Sequence, residues 1–420
     1  MPDTNKHSGP ILVINSGSSS LKAALFVREG AGDEERSILE ASATGIGQTE
    51  GKLVIKDAEG KRRAEDTHNY QTQVEALKKV AEALAQHHQE LNEDDQEPDT
   101  TPVAIGHRIV HGGMHLTRHQ PLTPAVLSAL EQAVHFAPLH IPGSLELIRK
   151  SEELYPGVPQ FACFDTAFHQ TLPETAWHLP IPSEYTDAGV RRYGFHGLSY
   201  ESIVAQLRRE GPPLPRRIVV AHLGSGSSVA AIANGKSVDT SMGFTPTGGI
   251  PMATRTGDLD PGVLIALQRP GLSPAGALSV DKLEEVLNHN SGLRALSNGI
   301  SDMQQLEEAA NSSDLQAKKS AALAIAIFAT GVAKTIASYI ISLGGLDLVV
   351  FTGGIGEHSA AFRQAVVERL QSLGIRLAPA ANQQHAGTIS SPGSNVMVRI
   401  LPAQEDLQIA RHARAMLTGS

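Results

Sequence analysis

Two stretches half a chain apart follow the same plan, and that repeat limits what the 420-residue chain can fold into. The first reads Ile11-Leu12-Val13-Ile14-Asn15-Ser16-Gly17-Ser18-Ser19-Ser20-Leu21-Lys22-Ala23-Ala24-Leu25-Phe26. The second reads Ile218-Val219-Val220-Ala221-His222-Leu223-Gly224-Ser225-Gly226-Ser227-Ser228-Val229-Ala230-Ala231-Ile232. Each is an apolar run, a Ser/Gly turn and a second apolar run, the pattern of two sheet-buried strands. Ser and Gly leave the turn's N–H groups uncovered and let a phosphate approach closely. Most single turns of this kind only reverse the chain. Two at matching places predict a duplicated α/β domain with one phosphate loop from each half, and the length favours two domains.

Apolar content of 41% is ample for two cores, and a charged content of 19% argues against wholesale disorder. A net charge of −9 with no basic stripe argues against a nucleic-acid partner. The lone Cys163 excludes an internal disulfide and fits a reducing, cytoplasmic setting. Met1 to Pro10 is polar and has no apolar signal core. Ala321 to Leu343 is the longest apolar stretch. Thr330, Lys334 and Ser338 interrupt it, so it reads as a buried helix rather than a membrane span.

Helical spacing marks Val74 to His88, Pro124 to Phe136, Gly143 to Leu154, Ser199 to Arg209, Ser359 to Gly374 and Glu405 to Met416. Strands are expected at Pro102 to Val110, Pro159 to Phe164 and Leu346 to Phe351, with short strand-like runs through Ser37 to Arg63. His88 to Thr101 is acidic and reads as a solvated loop. A composition break at Thr171 to Tyr185 places the domain boundary, giving an N-terminal domain over 1–170 and a C-terminal domain over 171–402. The tail 403–420 is expected to pack back on the first. The G-x-G-x-x-G and Walker A spacings are absent.

Four clusters carry candidate chemistry. In His107-Arg108-Ile109-Val110-His111-Gly112-Gly113 an arginine closes a buried strand, which is costly without an anionic partner; a structural ion pair answers that equally well. Arg191-Arg192-Tyr193-Gly194-Phe195-His196-Gly197 holds a histidine on a constrained loop, where a packed or surface role competes with a functional one. Asp239 to Pro246, running on through Gly248-Gly249 to Arg255-Thr256-Gly257-Asp258, is a long loop of the kind that is usually functional. In Pro402-Ala403-Gln404-Glu405-Asp406-Leu407 the acids serve a helix dipole or, more sharply, contact Mg²⁺ together with Asn15.

Asn15 to Lys22, His107 to Gly113, Phe164-Asp165-Thr166-Ala167-Phe168-His169, Tyr193 to Gly197, Asp239 to Pro246 and Gly354-Ile355-Gly356-Glu357 together resemble the acetate kinase family, in order and over nearly the whole chain. The resemblance implies two duplicated ribonuclease H-like (actin-like ATPase) domains with an interdomain nucleotide cleft that closes on substrate, and a homodimer joined through the second domain. It implies reversible, Mg²⁺-dependent transfer between ATP and acetate, giving acetyl phosphate and ADP, with Mn²⁺ as an alternative metal. Asn15 and Glu405 resemble the magnesium-site residues and Lys22 an ATP-contacting lysine. Arg108 and Arg255 resemble the pair that grips the carboxylate and the moving phosphoryl group. His196 resembles the transition-state stabiliser and Asp165 the catalytic acid. His222, Leu223, Gly224, Ser225 and Gly226, with Asp302, Met303 and Gln304 and with Gly354, Ile355, Gly356, Glu357 and His358, resemble the nucleotide segments. Val110, Leu139, Phe195 and Pro246 resemble the acyl pocket.

The chain departs from the family pattern at Ser225 and His358, where asparagine is usual, and at Gln304, where arginine is usual. Leu198-Ser199-Tyr200 stands where Thr-Ser-His is usual, and Leu139 is followed by His140 rather than asparagine. Several of these changes lie on the nucleoside side. A carboxylate is already ionised at neutral pH and needs no general base, so Asp165 is expected to orient Arg108 or the Mg²⁺ shell, and transfer is expected to be in-line. Propionate or butyrate kinase is the nearest alternative. A non-kinase ATPase related to actin or Hsp70 is a different class that the same fold serves.

Overall fold

The computed structural model describes residues 9–17, 19–28, 34–91, 101–211, 213–272, 274 and 276–419. Ser18, nearly all of the polar start and most of the acidic stretch after His88 lie outside the described residues. The chain forms two compact units, Met1–Ala167 with Gln404–Ser420, and Phe168–Ala403.

The first unit holds β1 (Ile11–Ser16), β2 (Ser20–Arg28), β3 (Glu35–Thr44), β4 (Gly51–Asp57), β5 (Arg62–His68), β6 (Ala104–Ile109), β7 (Gln120–Pro121) and β8 (Gln160–Phe164) in one sheet, ordered β5-β4-β3-β2-β1-β6-β8-β7. The second holds β9 (Arg217–Leu223), β10 (Ser227–Ala233), β11 (Lys236–Thr240), β12 (Leu348–Thr352) and β13 (Met397–Ile400), ordered β11-β10-β9-β12-β13. The run β3-β2-β1-β6-β8 and the whole second sheet share one plan. An antiparallel meander ends at a central strand, and two parallel strands follow it. The duplication legible in two hairpins therefore extends over five strands of each sheet.

Period-two burial explains how each sheet is covered. In β9, Val219, Ala221 and Leu223 face a cluster that includes Ala324, Phe328, Val332 and Ile336 of the 29-residue helix Leu315–Leu343. Ile218 and Val220 face Tyr200, Ile203, Val204 and Leu207 of the helix Gly197–Arg209. A strand buried on both faces must read as continuous apolar sequence, as this one does. In the first unit, Leu21, Ala23, Leu39, Ala41, Leu53 and Ile55 pack with Leu77, Val80 and Leu84 of the helix Gln73–Leu91. The helix Glu405–Thr418 packs on β1 and β6. Gly106 permits that approach, because a Cβ there would lie 2.6 Å from Cγ2 of Ile409.

Among the described residues, Leu315–Leu343 is the one helix long and apolar enough to cross a membrane by length and composition. It carries Phe328, Val332 and Ile336 at 0% exposure in the core of its unit, while Leu323 and Ile341 are exposed. Some boundaries differ from expectation. The helix expected over 124–136 ends at Gln132, with a 3-10 turn over Val134–Phe136. The one expected over 359–374 runs Ala360–Glu368, and Gly374 at φ 77° caps the turn beyond it. β13 was not expected, although Val396, Val398 and Ile400 alternate between turn residues and Pro402; it pairs with β12.

Candidate active site

In the first unit, β1, β6 and β8 run parallel, and their C-terminal ends bring three sequence-distant side chains together. The Asp165 carboxylate follows β8 and is buried. Arg108 donates to it through Nε (3.0 Å) and one terminal nitrogen (2.6 Å). The other terminal nitrogen donates to Oδ1 of Asn15 at 3.2 Å, and Asn15 Nδ2 donates to Oδ1 of Asp406 at 2.6 Å. Glu405 and Asp406 open the helix Glu405–Thr418. Burial pulls the Arg108 guanidinium down, but Asp165, Glu405 and Asp406 outweigh it and hold the group well above its ordinary value. Burial raises the Asp406 carboxyl, Glu405 adds to that, and Asn15, Lys22 and Arg108 oppose it. Lys22 is exposed, on the face of β2 opposite Leu21 and Ala23, beside the groove that Asp406 also lines.

Val110 follows β6 and is partly buried, whereas Leu139 is 52% exposed. The two histidines near Arg108 have structural tasks. His107 bonds Oε1 of Gln160 at 2.7 Å, and His111 accepts from the Gly113 N–H at 2.8 Å.

In the second unit, β9 and β12 lie side by side with Thr352 opposite His222, so the two glycine-rich segments meet. The 223–227 turn is closed by Gly224 N–H on the Gly226 carbonyl (3.2 Å) and on Ser227 Oγ (3.1 Å). Gly353 sits at φ 77° against it; a Cβ there would lie 2.7 Å from the Leu223 carbonyl oxygen. Gly353–His358 is a short helix, and Glu357 folds back to accept from the N–H groups of Gly353 (2.8 Å) and Ala403 (3.0 Å). Arg363, wholly buried, donates to the carbonyls of Gly356 and Glu357 at 2.9 Å each. Asp302 caps the helix Met303–Ala310, Met303 is buried, and the exposed Gln304 amide bonds Glu308 at 3.2 Å. Ser359 donates to Glu307 of that helix, placing it beside the 353–358 segment.

His196 takes a left-handed conformation, φ 58°, at the start of the helix Gly197–Arg209. Its ring lies 4.3 Å from that of His222, and its Nδ1 is 2.9 Å from Ser228 Oγ. Its Nε2 and the Arg255 guanidinium converge on the 223–227 turn: a Cβ at Gly226 would meet them at 3.3 and 3.7 Å. Arg255 comes from the 241–260 segment, which contains no helix or strand, and donates to the Pro246 carbonyl at 3.1 Å. The arginines preceding His196 are engaged elsewhere. Arg191 lies over Trp177 and Tyr193, and Arg192 donates to the carbonyls of Ala176 and Thr240.

Phe195 is buried, and its carbonyl accepts from Nε2 of His169 at 3.0 Å, leaving Nδ1 of His169 to accept from Ser237 at 2.8 Å. Burial pushes His169 down to about 4, with the Phe195 contact opposing and Arg192 assisting. The folded value is below the unfolded one. The stabilisation is therefore complete above about pH 6.5 and is lost as pH falls toward about 4. That difference corresponds to roughly 3 kcal/mol. Urea melts are expected to lose stability steeply over this window and less steeply in His169→Gln; equal slopes would contradict it.

Sequence reading joined the 402–407 acids to Asn15 only through Mg²⁺ and not by the direct Asn15–Asp406 bond, and it missed Arg363 and the Tyr200–Ser228 contact behind His196. An acid in a helix's first turn and an arginine within a helix each have ordinary explanations, and nothing local distinguishes these.

Two sheets of one plan, one ending in the Asn15, Arg108 and Asp165 cluster and the other in a glycine turn faced by His196 and Arg255, describe an α/β protein suited to holding anions. The chain matches the model of the Acetokinase family over residues 10–411. It is 39% identical to an acetate kinase of Nitrobacter hamburgensis over 409 residues, 97% of this chain and 96% of that one. It is also 39% identical to a propionate kinase of Citrobacter rodentium over 408 residues, 96% of each. A propionate kinase structure from Francisella tularensis aligns with a TM-score of 0.85 at 34% identity, covering 97% of this chain and all of that one. The chain belongs to the acetokinase family.

Proposed function

We propose that the protein is an acetate kinase, transferring a phosphoryl group reversibly between ATP and the carboxylate of acetate. The observation that carries this reading is the convergence of His196 Nε2 and Arg255 on the Gly226 turn. Backbone N–H groups, a guanidinium and an imidazole aimed at one point suit the oxygens of a phosphoryl group in flight. Acetate arrives ionised, so no residue need take its proton. Asp165, committed to Arg108 by two hydrogen bonds, holds that guanidinium in place for an anion rather than serving as a base. The assay is acetate, MgATP and hydroxylamine: hydroxamate formation supports the reading, and ATP hydrolysis indifferent to acetate would overturn it.

Mg²⁺ fits the oxygen donors of Asn15, Glu405 and Asp406, where a cation would offset the burial, and the lesser Glu405 repulsion, that raise Asp406. When bound it neutralises phosphate charge and draws the leaving oxygen's electrons. Lys22 adds charge on the same unit, and the 222–226 and 354–358 segments take the nucleotide. The protein works in the cytoplasm as a homodimer. Leu323, Ile327 and Ile341 are spaced for one face of the helix Leu315–Leu343 and exposed on it, a surface suited to a second copy. A sedimentation mass of a single chain at micromolar concentration would reject the dimer.

Propionate is the second acceptor to test, since relatives named for either acid match equally well. Phe195 and Pro246 are rigid, and they are assigned to the acyl group. One added methylene shifts discrimination by about 1–3 kcal/mol. Acetate is expected to react best, propionate next and butyrate poorly. A kcat/KM for butyrate above that for acetate would refute the pocket.

The donor is expected to be ATP with weak discrimination against GTP. Gln304 offers an amide tied to Glu308 rather than a planar cation to stack on a base. The expected kcat/KM ratio is below about a hundredfold, or about 2.7 kcal/mol. A larger ratio would show that base recognition resides elsewhere, and Gln304→Arg is expected to raise it.

A further inference from the structure

The imidazole of His196 is held from behind by a chain of two hydroxyls, all of it within the second unit. Ser228 Oγ lies 2.9 Å from His196 Nδ1, and the Tyr200 phenol is hydrogen-bonded to the same Ser228 oxygen. Tyr200 and Ser228 are both at 0% exposure. Tyr200 lies one turn beyond His196 on the same helix, its N–H donating to the His196 carbonyl at 3.1 Å. Ser228 comes from β10, opposite His222 in the β9 pairing.

We propose that Tyr200 and Ser228 form a hydroxyl relay that fixes the His196 ring with its proton on Nε2, making both of them positioning residues for phosphoryl transfer. The inference rests on the reading of His196 as a donor to the phosphoryl group.

The direction of the relay follows from the chemistry of its members. A phenol is a better donor and a poorer acceptor than an aliphatic hydroxyl, so the Tyr200 O–H points to Ser228. Ser228 then has its own proton to give to Nδ1, and each bond in such a chain strengthens the next. An Nδ1 that accepts leaves the ring's proton on Nε2, the nitrogen facing the Gly226 turn and Arg255. A neutral imidazole that donates is suited to a place beside a guanidinium, where an imidazolium would be repelled.

The backbone explains why such a hold is required. His196 occupies the left-handed region, uncommon for a residue with a side chain, and must be held there by its surroundings. Phe195 on one side is anchored through His169, and the His222 ring lies along one face, itself fixed by Ser199 Oγ on its Nδ1 at 2.8 Å. These contacts limit where the ring can be. The Ser228 contact, made by Nδ1 alone, is what distinguishes its two nitrogens from behind.

The test uses the full chain labelled with ¹⁵N-histidine, the His196 signals being assigned by their loss in His196→Gln. In the unmodified protein His196 is expected to be neutral, protonated on Nε2, with Nδ1 in the hydrogen-bonded range. In Ser228→Ala and Tyr200→Phe the Nδ1 signal is expected to leave that range and the Nε2 proton to exchange faster. Turnover is expected to fall about tenfold to a hundredfold with KM for acetate and ATP little changed, as when a group that orients a working histidine is removed. Melting temperatures establish that the variants are folded. A proton on Nδ1 in the unmodified protein, unchanged His196 signals in both variants, or unchanged kcat in folded Tyr200→Phe would each overturn the relay. Absence of acetate-dependent hydroxamate in the unmodified protein would overturn the functional reading while leaving the nitrogen signals to judge the hydrogen-bond relay itself.

Discussion

Arg255→Ala is expected to lower kcat by about a thousandfold or more while leaving the fold and the melting temperature near their original values. Arg255 lies on the 241–260 segment, is partly buried, and has a hydrogen bond from one terminal nitrogen to the Pro246 carbonyl. Its guanidinium lies near the Gly226 turn and on the Nε2 side of His196. The charge on a moving phosphoryl group spreads over its equatorial oxygens, so a fixed guanidinium there gains most in the transition state. The ground-state complex gains less, and KM for ATP is expected to change by far less than kcat. Arg255→Lys keeps the charge without the planar fork and is expected to recover only part of the loss. A folded alanine variant with near-normal turnover would remove Arg255 from the reaction.

The sequence made some parts of this arrangement legible because their causes are local. A strand buried on both faces must be continuously apolar, and a turn that exposes N–H groups must be built of small residues; both repeats met these demands. The strand ends carrying Asn15, Arg108 and Asp165 were legible for the same reason. Their grouping was not. Asn15 and Asp406 are 391 residues apart in the chain, and no periodicity records that a helix near the end lays its first turn against the first strand. β13 differs: Val396, Val398 and Ile400 alternate as a short strand does, but four residues near the chain's end gave no sign that they join β12.

The arginines beside His196 show the opposite case. Adjacency in sequence placed charge near a candidate imidazole, but Arg191 is spent on two aromatic rings and Arg192 on backbone carbonyls. The cation that approaches His196 comes from Arg255, 59 positions on in the numbering. Tyr200 carries the same lesson. At the sequence level it is a departure from a family pattern; in the fold its hydroxyl reaches Ser228 and, through it, the imidazole.

Arg108→Met is expected to abolish measurable turnover and also to destabilise the protein by about 3–5 kcal/mol, which separates it from Arg255→Ala. The difference lies in what each arginine leaves behind. Asp165 is 1% exposed and loses the guanidinium that took both of its oxygens, so a buried carboxylate is left without that cation. Asn15 loses its bond from Arg108 as well, and with it part of what holds Asp406. If stability and activity depend on different properties of Arg108, they can be separated. In Arg108→Met/Asp165→Asn the stranded charge is removed together with its partner, and stability is expected to return by about 2 kcal/mol or more. Activity is not expected to return, because no neutral pair can attract an acetate or phosphoryl anion. Denaturant melts and hydroxamate formation on the unmodified protein, Arg108→Met and the double variant decide the matter. Recovery of turnover in the double variant would show that Arg108 serves only to neutralise Asp165.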